Sequence, residues 1–133
     1  MPATIQIDPS ARLVISTFTD EISEADVESV RHSLVNDPRF DPAFSHIIDF
    51  SKVTEVRVSS EFIRAFAKRE PLFSVQAKQV VVAVQDFIFG LARMAQILRE
   101  GQLPNVEVVR SLPEAYQAIA TRQPAGFQDS PVA

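Results

Sequence analysis

Residues 44–66 of the chain read FSHIIDFSKVTEVRVSSEFIRAF, and the fold is predicted by working outward from this stretch. Its apolar run at residues 47–50 is typical of a strand that is covered on both faces, as in a parallel sheet. The polar residues 51–58 predict a crossing that leaves the sheet. Ser59 or Ser60 then precedes apolar residues at helical spacing, and a serine at this position predicts a helix N-cap. The stretch therefore predicts a strand, a polar crossing and a helix.

The segments on either side predict four further strands. Residues 4–7 and 13–18 are expected to form an antiparallel hairpin, because the short connection between them contains an Asp-Pro pair that predicts a turn. The continuous run QVVVAV at residues 79–84 predicts a central strand with both faces covered. A fifth strand is predicted at residues 106–109.

Three helices are predicted besides the one that follows the paired serines. The first begins at Ser23, where Asp26 three residues later gives a variant of the capping box, and it should end near Asn36. The third helix along the chain spans residues 87–100. The fourth begins at Pro113, since proline is tolerated in the first turn of a helix.

The predicted element order is ββαβαβαβα. Strands that alternate with helices favour parallel pairing with right-handed crossovers. We therefore predict an α/β fold with a mixed five-stranded sheet and four helices, in a single domain at residues 1–121. Residues 122–133 contain two prolines and a glycine and lack periodicity, so we expect them to form a disordered tail.

The composition argues against several classes of function. Hydrophobic residues make up 46% of the 133 residues, which is enough for a packed core. The formal net charge of -4 disfavours a nucleic-acid-binding protein, which usually carries a basic excess. The absence of cysteine excludes thiol catalysis and cysteine-ligated metals. No secretory signal or long apolar segment is visible, so we expect a cytoplasmic protein without stable membrane insertion and without a cofactor.

The stretch IIDFSKVTEVRVSSEFIRAF, residues 47–66, resembles the core of STAS domains, the SpoIIAA-like family of anti-sigma-factor antagonists. In that family a strand ends in aspartate, and a motif with paired hydroxyl residues opens a helix. Asp49 matches the aspartate, and Ser59 and Ser60 match the hydroxyl pair. The resemblance implies a regulatory module that binds a protein partner and has no enzymatic activity.

Two positions depart from the family motif. Val58 stands where the family has aspartate, and Glu61 stands where it has glycine. A phosphate on the neighbouring serines would meet the like charge of Glu61, which weighs against the family's phosphorylation switch. The later segments FGLARM and VEVVR resemble a divergent bacterial branch of SpoIIAA-like proteins, whose fold is also compared with the lipid-binding CRAL-TRIO domain. The resemblance spans residues 5–119.

The junction between the inner strand and its helix supplies the first group of candidate binding or regulatory residues. Asp49 is predicted near the carboxyl end of a strand, the edge at which α/β sheets usually bind ligands. Ser59 and Ser60 open the helix, where a hydroxyl group suits phosphorylation or anion binding. Arg57 and Arg64 belong to a modest basic group, which either binds a carboxylate or phosphate of a partner or is simply solvated.

Aromatic residues supply the second group, a candidate apolar interface or ligand pocket. Phe87, Ile88 and Phe89 cannot all face one core from one helix. Either this helix is covered on both sides, or its first turn exposes an apolar patch that marks an interaction site. Phe40 is expected to fold over the core as a lid, and Phe73 to pack beneath the sheet.

Three functions follow, in order of preference. The first is a non-enzymatic STAS-like module that binds a protein partner or a second copy of itself. The second is a carrier or sensor that holds a small apolar or lipid-like ligand. An enzyme ranks last, because neither a nucleotide-binding glycine motif, a G-x-S-x-G motif nor metal-ligand spacing occurs.

Overall fold

The computed structural model describes residues 3–69, 71–74, 76–98 and 105–122. The strands within these residues are β1 Ala3–Asp8, β2 Leu13–Ser23, β3 Ser45–Arg57, β4 Gln79–Val82 and β5 Val106–Val109. The helices are α1 Glu24–Val35, α2 Ser60–Ala67, α3 Asp86–Leu98 and α4 Leu112–Arg122.

The sheet confirms the predicted fold class and element order. Its five strands lie side by side in chain order, β1-β2-β3-β4-β5. β1 pairs antiparallel with β2, and every later pair is parallel. Right-handed crossovers between successive parallel strands place their connecting helices on one face. α1, α2 and α3 therefore share a face, and α4 covers the other.

Each face of the sheet has its own hydrophobic cluster. On the α4 side, Ala115 and Ile119 pack onto the side chains of the inner strands, including the fully buried Ile47 and Val80. On the α1–α3 side, Val30, Leu34 and Ile88 belong to a second cluster. Alternate residues of each strand point to opposite faces, so neighbouring positions of β3 serve different cores.

The polar segment at residues 51–58 is not a crossing, and this prediction is wrong. β3 continues to Arg57 and stays paired with β2, whose own end reaches Ser23. Val53 in the middle of this segment is completely buried. Two register shifts interrupt the pairing, and Asp20 between them has φ 61°, a left-handed conformation that aspartate tolerates better than most residues. The bulges break the alternation of apolar and polar residues that marks a strand in sequence.

The predicted helix starts agree with the structure. Ser23 caps α1 in a reciprocal capping box: its hydroxyl accepts a hydrogen bond from Asp26 N–H, and the Asp26 carboxylate accepts one from Ser23 N–H. β4 ends at Val82, two residues earlier than predicted. The predicted end of the third helix at residues 99–101 lies outside the described residues. So does the predicted tail, apart from Arg122, the last residue of α4.

Candidate functional site

The α1–α3 side of the sheet contains a cavity of about 290 Å³. The sheet forms its floor, and α1, α2 and α3 form its walls and cover. The walls are almost entirely apolar, and they include Val30, Phe62, Phe66, Ile88, Leu91 and Ala92. The volume lies just below the roughly 300–1,000 Å³ range typical of small-molecule sites.

Three buried polar side chains, Ser16, His46 and Gln79, interrupt this apolar lining and are called the polar floor here. They come from three adjacent strands, β2, β3 and β4. His46 and Gln79 are direct neighbours in the β3–β4 register, and Ser16 lies on the same face of β2. Their side chains are at most 8% exposed. A buried polar group costs free energy unless it is paired, so the hydrogen-bond partners of these three side chains decide that cost.

His46 is the centre of the polar floor. Its Nε2 lies 2.8 Å from Ser16 Oγ, and its ring stacks on Phe73 with the centroids 4.4 Å apart. Nδ1 is buried and, among the described residues, forms no hydrogen bond of good geometry. Burial lowers the pKa of His46 to about 3, and a hydrogen-bonding contact with the Gln79 side chain opposes this shift. The ring is therefore neutral at physiological pH.

The Ser16–His46 pair has the spacing of a nucleophile and its base, with Gln79 beside the ring. A histidine whose pKa is about 3 is a weak base at neutral pH, which opposes a role of this pair in catalysis.

Helix α2 closes one side of the cavity and is attached to α1 at both ends. Ser59 N–H and its hydroxyl each donate a 3.1 Å hydrogen bond to Glu24, and the same hydroxyl accepts from Phe62 N–H as the N-cap. At the other end, Arg69 donates to Glu28 at 2.6 Å. We refer to α2 as the lid helix, because its apolar face covers the cavity and its attachments are exposed polar contacts.

The structure does not bring Asp49 and the serine pair together. Asp49 is 4% exposed, and its carboxylate accepts a hydrogen bond from Ser51 N–H. β3 continues well beyond it, by roughly 3.3 Å per residue, before the lid helix begins. Asp49 also belongs to the α4 side, where burial of Tyr116 raises the pKa of that side chain and the charge of Asp49 adds to the shift. Ser59 is the N-cap of the lid helix, and Ser60 is its exposed first residue.

The two candidate arginines also lie apart from each other. Arg57 pairs with Glu21 at 2.9 Å and with Glu55 at 3.3 Å, in contacts that are largely exposed. Arg64 is exposed in the last turn of the lid helix. Exposed ion pairs of this kind contribute little to stability.

The aromatic group divides between the cavity and the surface. Phe73 and Ile88 are buried and line the cavity. Phe40 is half-buried against Phe73, with the ring centroids 5.2 Å apart in an edge-on contact. Phe89 lies beneath the Arg110 guanidinium, 3.9 Å from the ring centroid. Phe87 is 47% exposed, as expected if the first turn of this helix presents an apolar patch.

Sequence reasoning missed the polar floor and the lid. Ser16 stands between Val14 and Phe18, two apolar residues on the same strand face, and this isolated polar position is the signal that could have revealed it. Gln79 was included in the run that predicts an apolar strand, and His46 was not among the candidate site residues. The long-range pairing of Ser59 with Glu24 has no signal within either segment.

No family model matches this chain, and no curated protein matches it significantly. Among the described residues, no group of histidine, aspartate and glutamate side chains could hold a metal ion. No helix in the same residues has the length and apolar character needed to cross a membrane.

Proposed function

We propose that this protein is a small non-enzymatic carrier or sensor that holds an apolar molecule between its sheet and helices α1–α3. The observation that carries the proposal is the cavity of about 290 Å³ with its polar floor. Ligand sites in proteins are typically concave and apolar, with a few polar groups that orient the ligand. The walls and floor described above have this composition.

The cost of an unfilled cavity supports the same function. At ~24 cal/mol per Å³, a closed void of this volume would cost as much as about 7 kcal/mol relative to a packed one. The whole stability of a typical domain is only about 5–15 kcal/mol. Solvent access reduces the cost, but a large apolar space in a domain of this size is best explained by an occupant.

The attachment of the lid helix is suited to exchange of such an occupant. The contacts of Glu24 and Glu28 are exposed, and each is expected to contribute no more than about 1 kcal/mol. These polar attachments therefore add little to the cost of opening, which is set mainly by the apolar face of the lid helix that covers the cavity. A carrier or sensor needs a cover of this kind, one that closes over the ligand and releases it.

Native mass spectrometry after mild purification tests the proposal. We expect a fraction of the protein to retain a small molecule that is lost on denaturation. A fluorescent apolar probe should then bind to the emptied protein with one site per chain. A chain that carries no small mass and binds no apolar probe would contradict the proposed function.

A pair of substitutions places the binding in the cavity. Ala92 lines the cavity, whereas Ala65 is exposed on the lid helix. Ala92→Phe should fill the space and weaken probe binding by roughly tenfold or more, which corresponds to about 1.4 kcal/mol. Ala65→Phe is the matched control and should bind the probe as the unmodified protein does. Equal binding by both variants would place the probe elsewhere.

A second candidate function is a regulatory protein-binding module of the STAS type in the cytoplasm, acting on a partner or as a homodimer. Exposed apolar side chains favour it: Val84 and Phe87 are 48% and 47% exposed where β4 ends and α3 begins. This edge of a parallel sheet commonly binds ligands and partners. Arg64 on the lid helix could then meet an acidic group of the partner.

Light scattering of the purified protein tests the homodimer. We expect the unmodified protein to have the mass of two chains and the Phe87→Ser variant to have the mass of one chain. Ile97→Ser is the matched control, since Ile97 is exposed on the same helix at 60%. A single-chain mass for the unmodified protein would remove the homodimer.

A further inference from the structure

We propose that the cavity selects an uncharged amphiphile, an apolar chain or ring body that carries one hydroxyl, carbonyl or amide group bound at His46 and Gln79. This inference rests on the proposed ligand-holding function and names the chemical class of the ligand. The cavity walls determine the apolar part of the ligand, and the polar floor determines its polar group.

The polar floor has hydrogen-bonding capacity that the described residues leave unused. His46 is 6% exposed and its Nδ1 forms no hydrogen bond of good geometry among them. The Gln79 amide is adjacent to the ring on the neighbouring strand, and both side chains line the cavity. An unpaired buried polar atom is unfavourable, so a ligand group that completes these bonds would be favoured over a purely apolar one.

The floor can act as donor or acceptor. A neutral imidazole carries its proton on one nitrogen only. If Ser16 donates to Nε2, then Nδ1 carries the proton and donates to the ligand; if Nε2 donates to Ser16, then Nδ1 accepts. The Gln79 amide already contacts the imidazole, and its remaining hydrogen-bonding groups can serve the ligand as well. A hydroxyl group, which both donates and accepts, fits either arrangement.

A charged ligand group is disfavoured at the same place. Burial keeps His46 uncharged near neutral pH, so the floor offers no cation to a carboxylate. The charged side chain among the described residues of the lining is Arg31, which lies on α1 and not on the floor. A carboxylate on the floor would therefore be buried without a counter-ion, which is strongly unfavourable.

Three ligands of equal chain length test the class: octane, 1-octanol and octanoate. Each is titrated near neutral pH into the full chain labelled with ¹⁵N at histidine. We expect octanol to bind at least as tightly as octane, although its hydroxyl must leave water, because the floor replaces that hydration. Octanoate should bind roughly tenfold or more weakly than octanol. The ¹⁵N shift of His46 Nδ1 should change with octanol and not with octane.

The outcomes distinguish a failure of this inference about the ligand class from a failure of the proposed function. Octanoate binding as tightly as octanol would show that the site accepts charge, and it would overturn this inference alone. Octane binding tenfold or more tightly than octanol would show that the polar floor does not bind the hydroxyl group. That result would also overturn this inference alone. If none of the three binds, the proposed function fails, and this inference fails with it.

A substitution of similar shape at the floor gives an independent readout. Gln79→Met removes the amide and keeps the length of the side chain, so folding should be preserved. We expect it to weaken octanol binding roughly tenfold and to leave octane binding unchanged. Gln117→Met, at an exposed position of α4, is the matched control and should change neither affinity. An equal loss for octanol and octane in Gln79→Met would overturn the assignment of Gln79.

Discussion

His46 has an unusual environment for a histidine, because a titratable ring is buried between the sheet and an apolar cavity. In the unfolded chain its pKa is near 6.5, and burial lowers the pKa in the folded chain to about 3. The unfolded chain therefore binds the proton more tightly than the folded one. Protonation favours unfolding, so the stabilising effect of a neutral His46 is complete above pH 6.5 and is lost as the pH falls toward 3.

This linkage predicts a pH-dependent stability between pH 7 and pH 5. The free energy of unfolding in urea should fall below pH 6.5 by up to about 1.4 kcal/mol per pH unit. His46→Gln should remove most of this slope, since glutamine does not titrate. His32→Gln is the matched control because His32 is exposed on α1. An unchanged slope in His46→Gln would contradict the burial of a neutral ring.

At the scale of elements, the paired serines that open α2 have different roles. Ser59 is the N-cap: its hydroxyl accepts from Phe62 N–H and donates to Glu24. Ser60 is the first helical residue, and its side chain has no hydrogen bond among the described residues. The sequence predicts that the serine pair begins a helix. It does not assign different roles to the two serines, because Glu24, the partner of Ser59, is far away along the chain.

Alanine substitutions should separate the two serines. Ser59→Ala should cost about 1 kcal/mol of unfolding free energy through loss of the cap, and the Glu24 contact is lost as well. Ser60→Ala should change the unfolding free energy by less than about 0.5 kcal/mol, as is usual for an exposed position. Urea unfolding of both variants measures the difference. Equal costs would contradict the assignment of Ser59 as the cap.

The lid helix is expected to open more easily when its attachment to α1 is removed. Glu28→Gln breaks the ion pair with Arg69, so amide exchange in the lid helix should become faster while global stability falls by less than about 1 kcal/mol. Hydrogen exchange followed by mass spectrometry measures this. Glu55→Gln is the matched control, since its ion pair with Arg57 lies within β3. Faster lid exchange in both variants would show that the attachment is not specific.

At the scale of the whole molecule, the two faces of the sheet differ in packing. The α4 side is closely packed around Ile119, which is completely buried, whereas the α1–α3 side contains the cavity. Ile119→Ala should therefore cost about 2–5 kcal/mol. Leu91→Ala, beside an existing space and only half-buried, should cost less than about 2 kcal/mol. Urea unfolding compares them, and a larger cost for Leu91→Ala would contradict this asymmetry.

The fold was predictable because its strands and helices carry local signals. The β-branched run at residues 79–84, the Ser23–Asp26 capping box and the hairpin turn each predict an element from a few neighbouring residues. The cavity was not predictable in the same way, since it depends on how three helices meet over one sheet face. Asp49 shows the limit of sequence reasoning. Its assignment to a strand was correct, but its predicted place near the carboxyl end of that strand was wrong, because β3 continues to Arg57 and separates Asp49 from Ser59.

The cavity is the central claim, and a methyl NMR titration with 1-octanol tests it most directly. The isoleucine methyl groups of Ile48 and Ile88 face the α1–α3 side, and those of Ile47 and Ile119 face the α4 side. We predict saturable shifts at Ile48 and Ile88 and none at Ile47 and Ile119. An absence of shifts, or shifts confined to the α4 side or to exposed Ile97, would contradict a ligand-holding cavity between the sheet and α1–α3.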